Sequence, residues 1–199
     1  MNILHCSDLH FNLPWYKWVS AQQTHYDVIC LTGDFLDTAL TIPIHEQIEW
    51  VSSWFTSIAK PIFICSGNHD YDEKDSLDWL YKIPNIYADG TVKTIDGIKF
   101  GCIPYLVTDY DNFATCDVLL SHVPPAKTKT ATDRKTKKDW GDRDLTRLLA
   151  CRLLQPKVLL CGHIHDPLCT EETAYNCKIY NSKINNKKLT PFFNNVFVE

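Results

Sequence analysis

The sequence predicts an α/β fold in which two mixed β-sheets pack together with helices outside, and three observations predict it. Short runs rich in Val, Ile, Leu, Phe and Cys end in polar or turn residues, as buried strands do. Between them lie segments whose apolar residues recur at helical spacing. The last part of the chain, 173–199, loses the helical period and reads as two or three antiparallel strands.

Taken in order, the strand candidates are 2–7, 27–32, 61–66, 99–104, 117–121 and 157–161. Ile44, Ile48, Val51, Phe55 and Ile58 form one apolar helical face. Leu145, Leu148, Leu149, Leu153 and Leu154 form another, with Asp142 or Asp144 favourable at its N-terminal end. Residues 75–81 are a shorter candidate helix. Trp15, Tyr16 and Trp18 read as helix packing, although a stacking platform for a base or sugar is the alternative. No repeat or linker interrupts the chain, so 1–199 is expected to be a single domain.

Composition narrows the class. The 199 residues are 45% hydrophobic and 22% charged, which suits a packed core. A formal net charge of −4 gives no general attraction to nucleic acid or anionic membrane, so any anion-binding surface is local. No apolar run approaches the ~18 residues of a membrane span, and the start does not read as a signal peptide. Among nine cysteines, Cys6, Cys30, Cys65, Cys102 and Cys161 sit in or end apolar runs, and no CxxC pair occurs. Reduced thiols and a cytoplasmic location are expected. The segment 124–141 differs from the rest in carrying Lys127, Lys129, Arg134, Lys135, Lys137 and Lys138, with Asp133 the only acid among them. It is either a solvated surface loop or an overhang that steers an anionic substrate.

The informative polar residues come directly after the apolar strands. They are Asp8-Leu9-His10, Gly33-Asp34-Phe35-Leu36-Asp37, Gly67-Asn68-His69-Asp70, His122 and Gly162-His163-Ile164-His165. Ligand sites assemble at the carboxyl ends of strands in α/β sheets, so these groups should meet on one rim. Imidazole nitrogens with carboxylate and amide oxygens suit Mn, Fe, Zn or Ni. Two such cations can clamp the attacking and leaving oxygens of a phosphoryl displacement. His5, His25 and His45 stand outside the motifs and read as structural, in the first strand, a loop and a helix start. Asp70 is expected to accept hydrogen bonds from its own turn rather than to bind metal.

In order and spacing, DxH, GDxxD, GNHD, H and GHxH from Asp8 to His165 resemble the calcineurin-like metallophosphoesterase superfamily. The resemblance implies a four-layered α/β/β/α sandwich. It implies two divalent transition-metal ions, Mn first and Fe, Zn or Ni as alternatives. Asp8, His10, Asp34 and His165 would hold the first. Asp34 (bridging), Asn68, His122 and His163 would hold the second. His69 would sit beside the leaving group as general acid or electrostatic stabiliser, Asp37 would orient His69, and a metal-bridging hydroxide would attack.

Within the superfamily, Asp37 stands where purple acid phosphatases carry tyrosine. Thr38-Ala39 and GNHD replace the Arg-Gly and GNHE of protein phosphatases. The short chain, GNHD and Ser121–Pro125 resemble compact bacterial-type phosphodiesterases. The expected substrate is a phosphate ester, with the phosphodiester of a small or nucleotide-type compound first. A phosphomonoesterase, a compact nuclease or a non-catalytic protein-binding scaffold, as in the retromer subunit of this fold, are the alternatives. Nucleic acid is not the favoured partner, and no membrane partner is expected.

Overall fold

The computed structural model describes residues 1–107, 109–184 and 188–199; residues 185–187 of the expected C-terminal strand region lie outside it. The chain begins with β1 (Asn2–Cys6), α1 (Leu13–Gln22), β2 (Val28–Thr32), α2 (Ile44–Ser57), β3 (Ile62–Cys65), α3 (Asp78–Tyr81) and β4 (Ile86–Tyr87). It continues with β5 (Val92–Ile95), β6 (Ile98–Cys102), β7 (Val118–Leu120), α4 (Arg143–Ala150) and β8 (Val158–Cys161). It ends with β9 (Glu171–Ala174), β10 (Cys177–Asn181) and β11 (Asn194–Phe197).

One sheet has the order β11-β1-β2-β3-β4, and the other β5-β6-β7-β8-β10-β9. In the first, β1 to β4 are parallel and β11 joins β1 antiparallel. In the second, β6, β7, β8 and β10 are parallel, and β5 and β9 are antiparallel edges. Both sheets are therefore mixed, as expected.

Alternation along the strands creates the layers. Val28, Cys30, Phe63 and Cys65 point between the sheets, where they meet Phe100, Val118, Leu120 and Leu160. Phe63 and Phe100 stack with ring centroids 4.4 Å apart. Their neighbours Ile29, Leu31, Ile62 and Ile64 point outward onto Tyr16 and Val19 of α1 and Val51 and Phe55 of α2. On the far side, Leu145 and Leu149 of α4 cover Leu159, Cys161 and Ile179. Helix, sheet, sheet, helix is the resulting order.

Several expectations are corrected in detail. Helix α3 is one turn rather than the span 75–81. Asp72 Oδ1 accepts from the N–H groups of Lys74 and Ser76, and Asp75 has φ +56°, so this stretch is a turn. Of the expected antiparallel C-terminal strands, β9 and β10 do pair antiparallel, but the set is divided between the sheets. β10 lies parallel to β8, while β11 crosses to the other sheet beside β1. The β5–β6 hairpin was legible only from Asp96-Gly97, whose φ values of +47° and +83° suit a tight turn. α1 carries the aromatic cluster, with Trp15 and Tyr16 buried against the first sheet, as the packing reading expects.

The five strand-end cysteines are fully buried and free, and burial pushes their thiols up. No helix among the described residues is long and apolar enough to cross a membrane. His5 is buried in β1, between the Thr32 hydroxyl at 2.9 Å and the Asn194 amide at 3.1 Å. His25 ends a 3-10 turn, Gln23–His25, rather than an open loop. His45 begins α2, 3.1 Å from Glu73.

Candidate metal centre

The parallel strands deliver their polar ends to one rim. After β1 the chain runs beside the turn that follows β2: the N–H groups of Asp8, His10 and Phe11 donate to the carbonyls of Gly33, Asp34 and Phe35 at 2.9–3.0 Å. The Gly162 N–H donates to the His122 carbonyl at 2.9 Å, tying the ends of β7 and β8. The His163 N–H then reaches across to Asp8 Oδ2 at 3.0 Å, joining the two sheets. Asp8, His10, Asp34 and His163 all have left-handed φ, between +41° and +65°. Such backbone is costly for non-glycine residues and persists where surrounding bonds hold it.

Two glycines are required by close approach. A Cβ on Gly162 would collide with Ser7 Oγ and Asp8 Oδ2, and one on Gly67 with Asp34 Oδ1. Asp70 closes the same corner from below. It is buried and accepts from the N–H groups of Gly67, Asp34 and Phe35 at 2.6–2.9 Å and of Leu36 at 3.3 Å. It thus serves the turn after β2 as well as its own. Burial and then the Asp34 charge push its carboxyl up to about 8, against these N–H bonds.

Two groups of potential ligands result. One ligand atom each from Asp8, His10, Asp34 and His165 lie within 4.8 Å of one another. Asp8 Oδ1 is 3.3 Å from His165 Nε2 and 3.9 Å from His10 Nε2. In the second group, Asn68 Oδ1 is 3.1 Å from His122 Nε2 and 3.0 Å from His163 Nδ1, and those two nitrogens are 3.2 Å apart. Asp34 joins them. Its Oδ1 accepts from the His69 N–H at 2.9 Å, and its Oδ2 lies 3.5 Å from His122 Nε2 and 3.8 Å from His10 Nε2.

The residues fit a cation. Asp8 Oδ1 is buried with no hydrogen-bond partner, a condition that normally costs free energy. His122 Nδ1 is 2.6 Å from the Thr32 carbonyl, so Nδ1 carries the proton it donates there. Nε2 then offers a lone pair toward Asn68 Oδ1 and Asp34 Oδ2, the tautomer control usual for a ligating histidine. Burial raises the Asp34 carboxyl, but His122, the His69 N–H and His10 hold it below the usual range. For Asp8, burial is likewise outweighed by His165 and His122. Burial lowers His122, yet Asp34 and Asp8 raise it to about 9. Burial and then His122 push His163 down to about 4. The acidic pair draws positive charge to this rim, whether proton or metal ion.

His69 is half-buried beside the first group, its ring centroid 5.0 Å from that of His10. Asp37 is not bonded to it. Asp37 Oδ1 accepts from the Ala39 N–H at 2.8 Å in a local turn. The Asp37 backbone is clamped by the buried Gln47 side chain, which accepts its N–H and donates to its carbonyl, both at 2.9 Å. The expected orienting bond is therefore not made, because that carboxylate serves its own turn. Gln47 escaped sequence reasoning, although a lone amide between Ile44 and Val51 on an apolar face was a signal. Tyr105 also escaped it: it follows β6, and its ring lies 5.8 Å from that of His122.

The basic segment is a folded hairpin. Thr132 bridges to Asp139, and Asp133 to Pro167. The Arg134 guanidinium donates to the carbonyls of Pro167 and Leu168 at 2.8–2.9 Å and pairs with Asp166 at 3.3 Å. Arg134 thereby pins the hairpin to the chain just after His165 and is not a free anion receptor. Lys127, Lys129, Lys135, Lys137 and Lys138 are exposed.

The calcineurin-like phosphoesterase family profile matches residues 1–167. No curated protein matches the chain in sequence. Among solved structures, one crystal structure shares 16% identity at TM-score 0.70, over 92% of this chain and 90% of its own. The protein TT1561 of Thermus thermophilus shares 11% at TM-score 0.63, over 92% and 88%. An archaeal phosphodiesterase shares 19% at TM-score 0.52, over 92% and 84%. At these identities the likeness speaks for the fold alone.

Proposed function

The chain belongs to the calcineurin-like phosphoesterase family, and from that premise we propose that it is a two-metal phosphodiesterase acting on a small or nucleotide-type ester. One observation carries the reading: Asp34 Oδ2 stands between His122 Nε2 at 3.5 Å and His10 Nε2 at 3.8 Å, so one oxygen serves both ligand groups. Asp8, His10, Asp34 and His165 would hold one ion, and Asp34, Asn68, His122 and His163 the other. Manganese is the first expectation, since mixed imidazole and oxygen donors suit it alongside Fe, Zn and Ni. Bound there, the ions would supply Lewis acidity and acidify water.

The chain's own groups do the rest. Asp34 is oriented by the His69 N–H on Oδ1, which leaves Oδ2 facing both ligand groups. Asp8 is oriented by the His163 N–H on Oδ2, which leaves Oδ1. The His69 imidazole, beside His10, would hold the proton delivered to the departing ester oxygen. The GNHD motif supports a diester over a monoester.

The test is metal content of the purified protein, followed by hydrolysis of bis- and mono-p-nitrophenyl phosphate with added Mn²⁺. Two ions per chain and faster cleavage of the diester are expected. Faster cleavage of the monoester would replace the diesterase reading with a phosphatase. A protein that binds no metal and cleaves neither ester would overturn the enzyme reading and favour a scaffold.

A further inference from the structure

Beside the ligand histidines the basic hairpin turns an aromatic side chain to solvent. Trp140 is half exposed, in a protein that buries Trp15, Trp54 and Trp79 to 7% or less. It lines a cavity of about 330 Å³ whose other walls are Asp133, His163, Ile164 and His165. His163 and His165 come from the two ligand groups, so whatever occupies this cavity touches the candidate metal centre. The volume lies at the small end of ligand cavities, room for one compact group rather than a folded partner.

The backbone at Trp140 is held in place, its main-chain N–H donating to the Ala131 carbonyl at 3.1 Å. On either side, Asp139 accepts from the N–H groups of Lys127 and Gly141 at 2.8–2.9 Å. Lys138 Nζ lies over the indole, 3.4 Å from the ring centroid. An exposed indole on a hydrogen-bonded backbone, with an ammonium nearby, matches a ligand that is flat and aromatic at one end and anionic at the other.

We propose that Trp140 is a specificity-determining residue that stacks the nucleobase of a nucleotide ester while the phosphate lies at the metal centre. The proposal rests on the phosphoesterase reading and adds the substrate class to it. Stacking on an aromatic ring tolerates any base, because every base presents a π-face. The protein would thus select nucleotides over simple phosphate esters without choosing strongly among bases. Lys138 covers one face of the indole, so the base would stack on the other.

The experiment is calorimetric binding of thymidine monophosphate and of inorganic phosphate to the Mn²⁺-loaded protein. Wild type, Trp140→Ala and Trp140→Phe are compared. Wild type should bind the nucleotide more tightly than phosphate. Trp140→Ala should reduce that preference by about 5- to 100-fold, the range base stacking supplies, and Trp140→Phe should keep most of it. The same preference in wild type and Trp140→Ala would overturn the proposal, as would a wild type with no preference. Hydrolysis of bis-p-nitrophenyl phosphate by the wild type separates the two ideas. Activity without Trp140-dependent binding removes the stacking site alone. Trp140-dependent binding without activity removes the diesterase reading alone.

Discussion

His122 Nδ1 is bonded to the backbone carbonyl of Thr32 at 2.6 Å, a contact between residues 90 apart in sequence. Because that carbonyl can only accept, it fixes the imidazole tautomer and turns the Nε2 lone pair toward Asp34 and Asn68. His122→Asn can keep an N–H near the Nδ1 position but removes Nε2, the atom turned toward Asp34 and Asn68. Metal content should fall from two ions per chain to one, with the first group intact. Retention of two ions by elemental analysis would show that His122 is not a ligand.

Gly162 faces Asp8 so closely that an added methyl meets both Ser7 and the Asp8 carboxylate. Gly162→Ala should cost about 1–3 kcal/mol of stability, the usual penalty for overpacking. It should also weaken metal binding, since Asp8 and the His163 N–H that orients it would be pushed apart. A variant with lowered Tm and unchanged metal affinity would separate the packing role from the site.

His69 and Asp37 are separable by the same logic. His69→Ala should leave metal bound and lower turnover, most for esters with poor leaving groups, by about 10²–10⁴-fold where proton delivery limits the rate. Asp37→Asn should cost far less, since the Asp37 carboxylate serves the Ala39 N–H. Loss of metal in His69→Ala would make His69 a ligand. Equal losses in the two variants would restore the pairing that their geometry does not show.

Buried His5 gives the fold an acid sensitivity of its own. Burial pushes its pKa down to about 3, against a smaller upward pull from Asp8. Between pH ~6.5, the unfolded value, and 3 the unfolded chain holds a proton that the folded chain excludes. Stability therefore rises with pH in that window and is lost as pH falls, by up to about 1.4 kcal/mol per unit. With chelator present throughout, His5→Gln should flatten the fall of Tm between pH 6.5 and 5. An unchanged slope would place the acid sensitivity elsewhere.

The sequence by itself determined the layering and the chemistry offered at the rim. Each motif follows its own strand, so Asp8, Asp34, Asn68, His122 and His163 could be placed from local pattern alone. In the folded chain, alternation along β2 and β3 puts Cys30 and Phe63 on one face and Leu31 and Ile64 on the other. Tertiary structure decided what depends on distant partners. Strand period carries no record of the neighbouring strand, so only the fold sends β10 to β8 and β11 to β1. A histidine's residue type does not state its tautomer, and the Thr32 carbonyl sets it for His122. Asp37, beside His69 in motif logic, became a turn carboxylate that accepts the Ala39 N–H, on a backbone clamped by Gln47. Trp140, one aromatic in a polar segment, gained meaning only when the hairpin carried it to His163 and His165. Backbone periodicity is local and survives in sequence, whereas hydrogen-bond pairing and exposure are set by groups that only folding brings together.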